Sequence, residues 1–130
     1  MSGKILVVDD EVDVRDLVKT FLEDNGYRVT CCGDGYTALA EISKGSYDLV
    51  FLDVMMPDLD GLATLRKIRQ LNPRLKIVVM TGSLSDTIFD QSVDEEHEAD
   101  GFINKPFRME NLLTCLDMVL VKGGKYICPL

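Results

Sequence analysis

Five short apolar runs alternate with longer amphipathic segments along this chain, and few folds accommodate that rhythm. Lys4 to Val8, Tyr27 to Cys32, Asp48 to Leu52, Lys76 to Met80 and Gly101 to Asn104 read as strands, some nearly all apolar as strands covered on both faces are. Helical segments follow them: Val12 to Asp24, Tyr36 to Ser43, Leu62 to Leu71, Ser85 to about Glu95 and Met109 to Leu120. The first carries Val14, Leu17, Val18, Phe21 and Leu22 at helical spacing and stops at Asn25-Gly26. Asn72-Pro73 ends the third and Gly123-Gly124 the last. Asp94, Glu95, Glu96 and Glu98 crowd the end of the fourth, where the helix macrodipole disfavours negative charge. Strands alternating with helices need right-handed crossovers and produce a parallel sheet covered on both faces, a (βα)5 three-layer α/β sandwich.

The 130 residues suit one compact domain, and 46% hydrophobic residues are enough to build its core. Residues 1–122 form that domain, and 123–130 read as a C-terminal tail or the start of a linker. A net charge of −8 has the wrong sign for direct nucleic-acid binding. The apolar runs fall far short of the roughly 20 residues of a membrane helix, and the N-terminus lacks a signal-peptide core. Cys31, Cys32, Cys115 and Cys128 show neither a zinc-type CxxC pair nor a secretory framework, so reduced thiols in a cytoplasmic protein are expected. Cys31 and Cys32 are neighbours on a strand and should point to opposite faces.

In open parallel sheets ligands bind outside the carboxyl ends of the strands. There the chain places Asp9-Asp10-Glu11 after the first strand, Asp53 after the third, Thr81-Gly82 after the fourth and Asn104-Lys105-Pro106 after the fifth. One polar residue after a strand merely begins a loop, but four such segments converge on one rim. Carboxylates gathered there repel one another unless a cation joins them. The candidate ligands are all hard oxygens, which favours Mg²⁺ over zinc, and no dense ligand loop favours calcium. Asp53 beside such an ion is suited to act as a nucleophile and form an acyl phosphate. Lys105 and the Thr81 hydroxyl would hold phosphoryl oxygens, filling the positioning and charge-neutralising roles that phosphoryl transfer needs.

ILVVDDE (5–11), DLVFLDVMMPDLDGL (48–62), KIVVMTG (76–82) and GFINKPF (101–107) together resemble the receiver domain of two-component response regulators over about Lys4 to Val121. That resemblance implies a flavodoxin-like sheet of five parallel strands in the order 2-1-3-4-5. It implies that Asp10, Asp53 and the Met55 backbone carbonyl bind Mg²⁺, with Asp9 acting through a water. Asp53 would accept phosphate from a histidine kinase or a histidine phosphotransfer protein, and Lys105 matches the family's lysine, aimed inward by a cis peptide bond at Pro106. Thr81 and Phe102 match the switch pair that remodels the face of the fourth helix, fifth strand and fifth helix toward a downstream partner or effector. Dimerisation through that face is carried over with the family. Phe102 lacks a tyrosine hydroxyl, so its signal would be steric. Met55 and Ser83 occupy the positions that tune phosphoryl lifetime, and an apolar Met55 cannot orient an attacking water as an amide could.

Other polar residues read more plainly. Asp58 and Asp60 fit a turn and helix cap, His97 a solvated loop, and the Asp94–Glu98 run a solvated face. A phosphatase of the haloacid dehalogenase type would also use Mg²⁺, an Asp, a hydroxyl and a Lys, but its nucleophile lies on the first strand in a DxD motif, whereas Asp9 and Asp10 are adjacent. A flavin carrier of the same fold would meet repelling acids after the first strand. A degenerate receiver that only binds partners would not need the full set of Asp9, Asp10, Asp53, Thr81 and Lys105. The expected role is a phosphorylation-dependent signalling switch that modifies itself, not a dedicated enzyme.

Overall fold

The computed structural model describes residues 3–54, 61–81 and 99–127. In chain order it contains β1 (Lys4–Val8), α1 (Val12–Asp24), β2 (Arg28–Cys32), α2 (Gly35–Ser43), β3 (Leu49–Asp53), α3 (Gly61–Leu71), β4 (Lys76–Thr81), β5 (Gly101–Asn104), α4 (Met109–Leu116) and β6 (Tyr126–Ile127). The strands form one parallel sheet in the order β2-β1-β3-β4-β5-β6. The first five follow the predicted 2-1-3-4-5 order. The helix predicted over 85–95 lies outside the described residues.

Strand pleating sorts the apolar residues between two cores. Ile5, Val7, Leu49, Phe51, Val78 and Met80 face α1 and α4, where Val18, Leu22, Leu112 and Leu116 meet them. Leu6, Val8, Val50, Leu52, Ile77 and Val79 face α2 and α3, against Ala38, Ile42, Leu65 and Ile68. Every residue of β3 is buried, which explains its nearly continuous apolar sequence. Cys31 and Cys32 do lie on opposite faces, Cys32 inside one core and Cys31 half-covered at the edge of the other.

Two features depart from the sequence expectation. The last predicted helix, Met109 to Leu120, is α-helical only to Leu116 and continues as a π-helical turn, Asp117–Val121, in which Lys122 N–H donates to the Asp117 carbonyl at 3.0 Å. The segment read as a tail then pairs with the sheet. Gly123 at φ 71° turns the chain, and Tyr126 N–H donates to the Asp100 carbonyl at 3.1 Å. Lys125 Nζ donates to the Ala99 carbonyl at 3.1 Å and sits 3.3 Å from Asp100 Oδ1. Asp100 is in turn held by Arg69 Nη2 and the Ile77 N–H, each at 3.0 Å. Two residues are too few to show a strand periodicity, so the sixth strand has no signature in the sequence.

Candidate functional site

The site is assembled by strand register. Val8 lies opposite Leu52, so Asp9 and Asp53, each one residue further along, emerge side by side from adjacent strands at the carboxyl edge. Both are buried, Asp9 completely. Asp10 and Glu11 continue the turn into α1 and are exposed. One oxygen from each of these four residues falls within 4.8 Å of the others.

Lys105 follows the end of β5 and is joined to Pro106 by a cis peptide bond. Its Nζ lies 2.6 Å from Asp9 Oδ2, 3.1 Å from Asp53 Oδ2 and 3.4 Å from Glu11 Oε1. Burial alone would pull the ammonium's pKa down. The hydrogen bond to Asp9 and the negative charges of Asp53 and Asp9 outweigh it and hold the group above the ordinary lysine range. The second oxygen of Asp9, Oδ1, accepts the Glu11 N–H at 2.9 Å, so this carboxylate is engaged on both sides.

Formally, four carboxylates and one ammonium gather here, leaving three negative charges in excess where Asp9 and Asp53 are buried and Asp10 and Glu11 are exposed. A divalent cation fits that donor set: the oxygens are hard, they converge, and the excess charge calls for more than a lysine supplies. The sequence reading placed Asp9, Asp10, Asp53 and Lys105 here, and the structure brings all four together. Glu11, which follows Asp9 and Asp10 after the first strand and has no role in the sequence reading, joins both the acidic cluster and the Lys105 contacts. Thr81 ends β4 opposite Asn104 of β5. Phe102 is buried, 2% exposed, in the core that faces α2 and α3. Met55 and Ser83, and with them the predicted metal-binding carbonyl and the lifetime positions, lie outside the described residues.

Beside Lys105 a cavity of about 490 Å³ opens between α1 and the β5–α4 loop, lined by Val14, Leu17, Val18, Pro106, Phe107 and Met109. Leu17, on the wall of this cavity, is more than half exposed.

Residues 5–117 match the family described as the response regulator receiver domain. Among curated proteins, the chain is 35% identical over 120 residues to the probable transcriptional regulatory protein TcrX of Mycobacterium tuberculosis, covering 92% of this chain and 50% of that one. It is 41% identical over 107 residues to the regulatory protein VanRc of Enterococcus gallinarum, covering 82% and 45%. The chain spans about half the length of these curated relatives. Among solved structures, it superposes with a TM-score of 0.83 and 31% identity on a CheY-like receiver domain protein from Methanospirillum hungatei, covering 94% and 96%. With NtrX from Brucella abortus the TM-score is 0.80 at 38% identity, covering 94% of this chain and 27% of that one.

Proposed function

The chain belongs to the response regulator receiver domain family of two-component systems, and from that premise we propose that it is a phosphorylation-dependent switch whose acceptor is Asp53. The observation that carries this reading is the convergence of Asp53, Asp9 and Lys105, 2.6 to 3.1 Å apart across the lysine, with Asp10 and Glu11 beside them. A carboxylate oxygen of Asp53 attacks the phosphorus of a phosphohistidine, the P–N bond breaks, and the imidazole nitrogen leaves with the electron pair and takes a proton. An acyl phosphate remains on Asp53.

Lys105 is placed to neutralise a phosphoryl oxygen once it turns from the acids it now bridges. Bound Mg²⁺ supplies charge neutralisation as the anionic donor approaches. Asp10 and Asp53 would hold the ion, joined by the Met55 carbonyl as in the family, and Asp9, buried and already engaged on both oxygens, would act through a water. Thr81 receives a phosphoryl oxygen, and Phe102 reports the change sterically from its buried position toward the downstream partner or effector, through the face where a second copy would also dock. The apolar cavity beside Lys105, with exposed Leu17 on its wall, supports a protein as phosphodonor: a histidine kinase or histidine phosphotransfer protein. The chemistry is self-modification with slow release of phosphate, in the cytoplasm, without turnover of an external substrate. Among the described residues no helix is long and apolar enough to cross a membrane.

Intact-protein mass after incubation with acetyl phosphate tests the reading. One Mg²⁺-dependent phosphoryl adduct on the native chain, absent from Asp53→Asn, is expected. An adduct that persists in Asp53→Asn, or none in either protein, overturns it.

A further inference from the structure

Arg15 and Gly33 have no part in the site described above, yet they meet at its edge. Arg15 is half-buried on α1, and its Nη1 donates to the Asp9 backbone carbonyl at 3.1 Å. Its own N–H donates to the Glu11 carbonyl, also at 3.1 Å. One residue therefore ties both ends of the Asp9-Asp10-Glu11 turn. Gly33 follows β2 and has none of the positive φ that would call for glycine. A Cβ built there overlaps Arg15 Nη1, comes within 3.5 Å of Arg15 Cζ, and meets nothing else within 4 Å. The guanidinium is what the missing side chain makes room for.

We propose that Arg15, seated on Gly33, is a positioning residue that fixes the turn and thereby presents Asp10 to the divalent cation. The inference rests on the receiver reading of the site. The Asp9 carbonyl belongs to the rigid peptide plane that leads into Asp10, so a hydrogen bond on that oxygen sets the direction in which Asp10 departs. Without it, repulsion among Asp9, Asp10, Glu11 and Asp53 would push the exposed Asp10 outward. Asp9 N–H already donates to the Cys32 carbonyl at 3.0 Å. With Arg15 lying over Gly33, the turn is braced against the end of β2 through its backbone and through a side chain. A methyl group at Gly33 would displace the tip of a flexible side chain and leave the backbone in place, so Gly33→Ala should remove the brace while sparing the fold.

The test is calorimetric titration of Mg²⁺ into the native chain, Arg15→Met, Gly33→Ala and the double variant. It is paired with the rate of phosphorylation by acetyl phosphate as Mg²⁺ is varied. Partners that orient metal ligands are worth 10- to 100-fold in affinity, and each single variant is expected to bind Mg²⁺ about tenfold more weakly. The double variant is expected to bind no more weakly than Arg15→Met alone, because Gly33 acts only through Arg15. The half-saturating Mg²⁺ concentration should rise while the rate at saturation stays near the native value, a split that general loss of structure would not produce. Should Arg15→Met fail to fold, Gly33→Ala decides alone. Native Mg²⁺ affinity in the single variants, or additive losses in the double variant, overturns the inference and leaves the receiver reading standing. Absence of Mg²⁺ binding by the native chain overturns both.

Discussion

The Lys105 ammonium sits 2.6 Å from Asp9 Oδ2, a charge-assisted bond between residues 96 positions apart that spans the carboxyl edge of the sheet. Its contact with Asp53 is longer, at 3.1 Å. Here the lysine offsets the charge of both acids, and on the proposed reading it loosens from Asp9 to serve a phosphoryl group on Asp53.

Replacing Lys105 by Met should expose this balance. Asp9 is fully buried, and removing one partner of a buried ion pair costs about 3 kcal/mol or more. Lys105→Met is therefore expected to melt well below the native chain in EDTA and to regain more stability than the native chain on adding Mg²⁺. Thermal denaturation across a Mg²⁺ series reads both effects. A variant as stable as the native chain without metal would mean that the ion pairs seen here contribute little.

Met55→Asn addresses the lifetime of the acyl phosphate. An amide can orient an attacking water, whereas a thioether is a poor hydrogen-bonding partner. Phosphate release from Asp53 should be faster in Met55→Asn than in the native chain, followed by the decay of the mass adduct after acetyl phosphate is removed. Equal or slower release would remove Met55 from any part in setting the lifetime.

Legibility in the sequence followed the physics of each feature. Alternation of apolar runs located the five main strands, and α1 has the bounds its spacing predicts, because periodic burial writes itself into residue order. The residues of the acidic site were legible too, since a parallel sheet delivers the ends of its strands to one rim. Pairings across that rim were not: nothing in residue order says that Lys105 lies closer to Asp9 than to Asp53, or that Gly33 is small because Arg15 lies over it. The π-helical turn at Asp117–Val121 and the two-residue β6 also went unread. Both are short local features on either side of the reversed Gly123, with no repeating pattern behind them.

Cys32 supplies a pH signature independent of phosphorylation. Burial first, then the charges of Glu41 and Asp34, push its thiol up from 9.0 to about 11. A folded-state pKa above the unfolded value means full stability below pH 9 and a loss as pH rises from 9 toward 11, because only the unfolded chain gives up the proton in that window. The urea midpoint of the native chain should fall more steeply over this range than that of Cys32→Ala. Parallel slopes would show that Cys32 is not the group responsible.

Gly101→Ala probes the C-terminal strand. A Cβ at Gly101 would stand 2.9 Å from the Tyr126 carbonyl oxygen, too close for β5 and β6 to keep their register. The obstacle is backbone, so the strand itself must move. The Tyr126 N–H, now donated to the Asp100 carbonyl, should then exchange with solvent faster, by about tenfold for each 1.4 kcal/mol that the pairing loses. Lys125, which anchors the strand through Ala99 and Asp100, lies on the amino side of β5, while Lys105 lies beyond its carboxyl end. The Mg²⁺ affinity of Gly101→Ala should accordingly match the native value. Hydrogen exchange and calorimetry on the same variant distinguish a β6 that packs independently of the acidic rim, with fast exchange and native affinity, from one coupled to it, in which both change.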